Sequence, residues 1–307
     1  MKRKKRKKID IENIIFTTLN TCYLLFLCVV MLYPMLNTLA ISFNEPLDTV
    51  RGGIYILPRK FTLYNYYVVL NMDTIYNAFY ISVTKTIVIV VTNLVFTSML
   101  AYTLSRKEYI FRKFITTVFV LTMYFNAGLI PNYLLIKNLG MINTFSVYWI
   151  PHIVSAFNLI VIRTYIKTLP ESLIESARID GAKEFRIYWQ IVMPLIVPTL
   201  ATIALFVAVG SWNSWFDTFL YNSGKPELST LQYELQKLLA TTMTASTRAG
   251  APAGGAVSAA QAGSSNVSTP QSIRAAITII TAVPILFVYP FLQRYFIHGL
   301  AIGSVKE

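Results

Sequence analysis

The chain has 307 residues, of which 55% are hydrophobic and only 13% charged, with a mean hydropathy of +0.54. Soluble domains carry about 25% charged residues, so much of this surface faces something other than water, and disorder is excluded for most of the chain. A net charge of +13 would suit a nucleic-acid binder, but the basic residues cluster at the ends of apolar runs, which is a membrane-topology pattern.

A basic tail, residues 1–13, holds Lys2 to Lys8 and precedes an apolar run at 14–42. That run is far longer than the roughly 7–15 residue core of a signal peptide and ends in no small-x-small site, so it is expected to be retained as a first span. Cys22 and Cys28 both lie within it. Six residues apart on a helix, they point to different faces and are not expected to pair. Five further runs follow at 75–104, 114–135, 145–166, 191–212 and 273–295. Crossing about 30 Å of hydrocarbon takes roughly 20 residues, and continuous runs of this length favour helices over alternating barrel strands. The expected fold is an all-α integral membrane bundle of six transmembrane helices over residues 14–298, with a C-terminal tail at 299–307. Placing the N-terminus in the cytoplasm puts eighteen Lys and Arg inside and eight outside, with Lys85 left within the second span. That bias predicts two cytoplasmic termini.

The connecting segments differ in character. The exterior loop at 44–74 carries Tyr64, Tyr66 and Tyr67, which suits an interfacial segment. A short exterior loop is expected at 137–144 and a polar cytoplasmic one at 167–190. The last exterior loop, 216–272, holds an amphipathic stretch at 228–240 and then a Gly/Ala/Ser/Thr tract. Small residues bury too little apolar area to offset ordering, so a mobile loop is expected over about 241–271, a linker rather than a lid.

No catalytic constellation is visible. His152 and His298 lack metal-ligand spacing, and no phosphate-cradling G-x-x-x-x-G-K-[ST] occurs, so neither a metal site, an enzyme nor an ATPase is expected. The carboxylates lie outside the spans, with Asp217 just beyond the fifth. Ion-coupled carriers commonly place one at mid-membrane, which weighs against a secondary solute carrier, the alternative reading. Lys85 is either a residue of the solute path, suiting an anionic solute, or a lysine snorkelling to an interface. Trp212, Asn213, Trp215 and Asp217 combine aromatic faces with amide and carboxylate groups, as sugar recognition does, although an aromatic belt at the interface is the commoner arrangement. Prolines at 151, 194, 198, 284 and 290 predict kinked helices.

The segment from Pro170 reads ESLIESARIDGAKEFRIYWQIVMP and predicts helix–turn–helix, with Gly181 at the turn. Leu173, Ile174, Ala177, Phe185 and Tyr188 supply apolar contact surface; a surface helix held at lipid headgroups would look similar. Glu175-Ser176-Ala177, three residues, Gly181, nine residues and Ile191-Val192-Met193-Pro194 keep the spacing of the EAA loop (170–194) of ATP-binding-cassette importer permeases. Ser176 and Met193 stand where that motif has Ala and Leu. With FTLYNY, NAGLIPNYLLIKNLGMINTF, WNSWFD and the C-terminal FLQRYFIHGLAIGSVKE, the chain resembles the second-permease, maltose-importer-like branch of carbohydrate importers, particularly the Gram-positive type for complex oligosaccharides.

The resemblance implies a subunit of the bacterial cytoplasmic membrane, half of a permease heterodimer with two ATPase subunits and an extracellular solute-binding lipoprotein. It implies no cofactor on this chain, with ATP and Mg bound by the ATPase. The helix before Gly181 would dock on the ATPase, with Glu175 pairing to a basic residue and Ser176, Ala177, Asp180, Gly181 and Pro194 completing the coupling loop. No nucleic-acid partner is implied.

Overall fold

The computed structural model describes residues 11–249 and 269–304. They form helices joined by irregular segments, and the one extended pairing among them is an isolated antiparallel bridge between Asn44 and Phe61. The chain divides into two units, Met1–Val69 with Thr242–Ile279, and Leu70–Thr241 with Ile280–Glu307.

In the first unit, helix α1 (Ile11–Ser42) exposes apolar side chains on all sides, among them Phe16, Leu25, Val29 and Met31. Both cysteines on it are free and exposed. A helix apolar all round and uncovered by protein is what hydrocarbon contact requires. Beyond it, α2 (Pro46–Val50) and α3 (Tyr64–Leu70) are tied together by buried amides. Asn44 Nδ2 donates to Asp48 Oδ2 at 3.1 Å, while its Oδ1 accepts from the backbone N–H groups of Arg59 and Lys60 at 2.9 and 3.0 Å. Asn65 Nδ2 donates to the carbonyls of Ser42 and Asn44, both at 2.9 Å, satisfying carbonyls that the end of α1 leaves unpaired. Arg59 closes the knot on Asp48 at 3.0 Å.

The second unit holds α4 (Asp73–Ser105), α5 (Arg112–Tyr124), α6 (Leu129–Asn138), α7 (Ser146–Trp149), a 3₁₀ turn (Ile150–His152) and α8 (Ala156–Ile166). Then come α9 (Glu171–Ile179), α10 (Glu184–Ile187), a π turn (Tyr188–Val192), α11 (Met193–Asn213) and α12 (Phe216–Tyr221). Helices α13 (Leu231–Ala249) and α14 (Pro270–Ser304) each have residues in both units.

Among the described residues, four helices are long and apolar enough to cross a membrane: Ile15–Ser42, Asp73–Ser105, Glu184–Asn213 and Pro270–Pro290. A fifth is obtained by joining Ser146–His152 to Ala156–Ile166 across a 44° bend. The expected run at 114–135 is not one helix. It divides into α5 and α6, about 20 and 15 Å long at 1.5 Å per residue. At the break Phe125 turns extended and Gly128 adopts φ +88°, which a residue with a Cβ reaches only at a cost. Pro131 follows in the first turn of α6, where its missing N–H is not needed. The run expected at 191 starts earlier, because the π turn carries the helix back to Glu184. Nine residues of the small-residue tract, 241–249, are helical. The remaining tract at 250–268, the basic tail at 1–10 and residues 305–307 lie outside the described residues.

The core of the second unit is made where α4, α8 and α11 meet. Leu104, Leu159, Ile162, Ile166, Ile196 and Ile203 are all essentially inaccessible. Arg163 Nε donates to the Leu104 carbonyl at 2.9 Å and so caps the end of α4 from α8.

The Asn44 amide, with Arg59 and Lys60 adding to it against the opposing effect of burial, holds the Asp48 carboxyl below the usual carboxylate range. A carboxyl whose folded value lies below its unfolded value of about 3.9 stabilises above that value and loses the contribution as pH falls through the folded one. Limited proteolysis with an acid-active protease is therefore expected to cut faster between residues 44 and 65 as the pH drops below about 3.9. Asp48→Asn is expected to show the faster cutting already at neutral pH.

Candidate functional site

Two features of the second unit carry functional geometry. The first is the hairpin of α9 and α10. Helix α9 ends in a Schellman motif: the Ala182 N–H bonds the Ala177 carbonyl at 2.9 Å and the Gly181 N–H bonds the Arg178 carbonyl at 3.0 Å. Gly181 takes φ +80°, the left-handed conformation that this motif demands. Ile174 and Ala177 face inward and join the core of α4, α8 and α11, as do Ile187 and Tyr188 beyond the turn. Glu175, Asp180, Ile179 and Phe185 face outward, Ile179 85% and Phe185 68% exposed. Of the apolar residues expected to form one contact surface, Ile174, Ala177 and Tyr188 are thus spent inside, and Leu173 and Phe185 remain outside.

Polar contacts fix the hairpin's orientation. Arg178 pairs with Glu108 on the α4–α5 connection and with Glu184 at the start of α10, and Glu184 also accepts from the Tyr102 hydroxyl. The two carboxylates hold the Arg178 guanidinium protonated more firmly than usual, and Arg178 in turn pulls the Glu108 carboxyl down. Lys107 pairs with Glu171. Ser176 bonds its own helix at the Leu173 carbonyl, 3.2 Å. Pro194 is the second residue of α11, directly after the π turn, where the widened backbone already departs from the i→i−4 ladder that its ring would break.

The second feature is a cavity of about 430 Å³, within the range of small-molecule sites. Asn93 of α4, His152, Ser155, Asn158 of α8, Ser211 of α11 and Asp217 of α12 supply its polar wall, and Ile89, Phe206 and Val207 contribute apolar surface. The break in the fourth apolar run builds this wall. With the helix interrupted at residues 153–155, the carbonyl of His152 turns to Asn93 Nδ2 at 2.8 Å, and Asn158 Nδ2 donates to Asn93 Oδ1 at 3.0 Å. The α11–α12 break contributes Ser214, whose Oγ donates to Asp217 Oδ2 at 2.6 Å. His152 Nε2 lies 3.9 Å from the same carboxylate oxygen.

Lys85 is 1% exposed and ends inside the protein. Its ammonium donates to the Ser214 carbonyl at 3.1 Å, sits 4.9 Å from the centre of the Tyr148 ring and feels the Asp217 charge. It therefore stands behind the cavity wall, at the negative end of α11. Trp212 is buried, with its indole N–H on the Thr281 carbonyl at 2.9 Å. Asn213 accepts from Gln232 at 3.0 Å, and Trp215 packs against Phe216 and Phe219. Of the five residues singled out around the path, only Asp217 lines the cavity. The amides Asn93 and Asn158 and the serines were not singled out. Their signal was available, since a lone amide within an apolar span needs a partner there.

Gly181→Ala meets no neighbour within 4 Å, so its cost is conformational alone, about 1–2 kcal/mol. Hydrogen exchange of residues 171–187 is expected to speed up in that variant, while exchange within α4 stays as it was.

Residues 94–302 match the family described as binding-protein-dependent transport system inner membrane component. The polygalacturonan/rhamnogalacturonan transport system permease protein YtcP of Bacillus subtilis is 32% identical over 295 residues, 96% of this chain and 99% of that one. Protein LplC of the same organism is 34% identical, covering 94% of each chain. A crystal structure of a bacterial ABC transporter involved in the import of the acidic polysaccharide alginate includes a chain that superposes with TM-score 0.83 at 28% identity, over 95% of this chain and 100% of that one. With the family matching two-thirds of its length and relatives of this similarity matching nearly all of it, this chain belongs to the inner-membrane components of binding-protein-dependent transport systems.

Proposed function

We propose that the chain is one of two permease subunits of an ATP-binding-cassette importer for oligosaccharides, moved between inward- and outward-facing states by separate ATPase subunits through the hairpin of α9 and α10. The observation that carries this reading is the two-sidedness of the hairpin. Its inner face is continuous with the core of α4, α8 and α11, and its outer face offers Glu175, Ile179 and Phe185 to a partner. The same three helices line the cavity higher up, through Asn93, Asn158 and Ser211. A push on α9 is thereby delivered to the cavity wall as a movement of packed helices, because close-packed cores transmit displacement and do not absorb it. Sugar as the solute is supported by the carbohydrate systems to which YtcP and the alginate transporter belong, and by a wall of amides, hydroxyls and a carboxylate.

In this reading six crossings are made, the third by α5 and α6 in succession and the fourth by the bent pair. Residues 14–298 are the transmembrane domain, 170–194 the coupling loop, and 241–271 an exterior loop. Both termini are cytoplasmic, which the distribution of Lys and Arg supports. ATP and Mg belong to the ATPase subunits, and an exterior binding protein delivers the solute. Glu175 pairs with a basic residue of the ATPase, and Gly181 lets the helix turn back into the core.

The test is purification of the tagged chain from native membranes in mild detergent. A second permease and an ATPase are expected to co-purify. Glu175→Lys reverses the outward charge, and Gly181→Pro forbids the positive φ and removes the N–H that bonds Arg178. Both are expected to reduce ATPase recovery at least tenfold while the chain itself stays in the membrane. Solute uptake that continues after ATP is depleted would overturn the reading in favour of a secondary carrier.

A further inference from the structure

Whether a permease chain touches the solute depends on which groups its own wall leaves free. Three buried side-chain atoms among the described residues have no hydrogen-bond partner: Asn65 Oδ1, Asn222 Oδ1 and Ser211 Oγ. Of these residues only Ser211 lines the cavity. A buried hydroxyl without a partner is costly, and inside a helix it ordinarily bonds a carbonyl one turn back. Asp217, whose Oδ2 is engaged by Ser214 and faced by His152, lines the same cavity. The carboxylate is thus the one anionic group among the described residues of the wall, while the nearby cation, Lys85, is turned away to the Ser214 carbonyl and the Tyr148 ring.

From this arrangement we propose that the cavity is a recognition site, on this chain's own wall, for a neutral hydroxyl-rich sugar unit. Resting on the importer reading above, the assignment gives Asp217 the role of acceptor for sugar hydroxyls and Ser211 that of a hydroxyl free to donate or accept. Phe206 and Val207 of α11 offer the apolar surface on which the C–H face of a sugar ring packs. Lys85 is a positioning residue. It holds the α11–α12 break to α4 and is the counter-charge of Asp217, and it does not bind solute anions. A uronate at this place would meet the Asp217 carboxylate with no lysine or arginine among the described residues of the wall to offset it.

The experiment uses the complete importer, with its own ATPase and binding protein, in inside-sealed vesicles. The probes are neutral trisaccharides of galactose, glucose and arabinose, and trigalacturonate. Uptake of at least one neutral probe is expected. Ser211→Ala should raise its KM about 3-fold to 10-fold, the worth of one ordinary hydrogen bond, with kcat little changed. Asp217→Asn should weaken uptake of the neutral probe more than that of trigalacturonate. Lys85→Met should affect all probes alike, since it acts through the Ser214 carbonyl, and ATPase co-purification checks that each variant assembles. A selective loss of trigalacturonate uptake in Lys85→Met would overturn the assignment. So would unchanged KM in both Ser211→Ala and Asp217→Asn, or no uptake of any neutral probe by the parent importer. Uptake that needs no ATP would instead overturn the importer reading itself.

Discussion

The contact on which the rest depends is the burial of Ile174 and Ala177 of α9 in the core shared by α4, α8 and α11. Neither side chain is large, and burying an isoleucine is worth only about 1.5–3 kcal/mol. Their importance lies in continuity. Ile174 and Ala177 join one cluster with Leu104, Ile162, Ile166 and Ile196, so no soft layer separates a surface hairpin from the spanning helices. Around this seat the ion pairs of Arg178 with Glu108 and Glu184 contribute orientation more than energy, since exposed pairs are each worth about 0–1 kcal/mol. The apolar seat anchors the hairpin and the charges aim it.

Helix interruption does the complementary work. A spanning helix satisfies all of its own backbone and therefore offers a solute nothing but side chains. Where the fourth run breaks at residues 153–155 and α11 ends at Asn213, carbonyl groups become available, and Asn93 and Lys85 of α4 take the resulting acceptors at His152 and Ser214. One uninterrupted helix thus braces two broken ones. The cavity lies at that brace, so a shift of α4 against α8 or α11 changes its lining directly.

Buried charge follows the same logic. Lys85 would be expensive in hydrocarbon, and its cost is reduced by a carbonyl, an aromatic face and the Asp217 charge acting together. Its immediate neighbours, the Ser214 carbonyl and the Tyr148 ring, suit the positioning role proposed for it.

Apolar runs, their length and the asymmetry of Lys and Arg marked a membrane protein from the sequence alone, because burial in hydrocarbon imposes composition directly. The turn at Gly181 was legible as well, since a Schellman turn requires a residue free to take positive φ and Gly181 supplies it. What the sequence left undecided was continuity: an apolar average over 114–135 is blind to the dihedral angles at Phe125 and Gly128 that divide it. It also could not say which of Lys85, Trp212, Asn213, Trp215 and Asp217 share a surface, nor that Asn93, Asn158 and Ser211 join Asp217 there. Those residues come from four helices, and only the packing of α4, α8, α11 and α12 brings them within one cavity, because side-chain proximity across helices depends on rotation and register that no local pattern encodes.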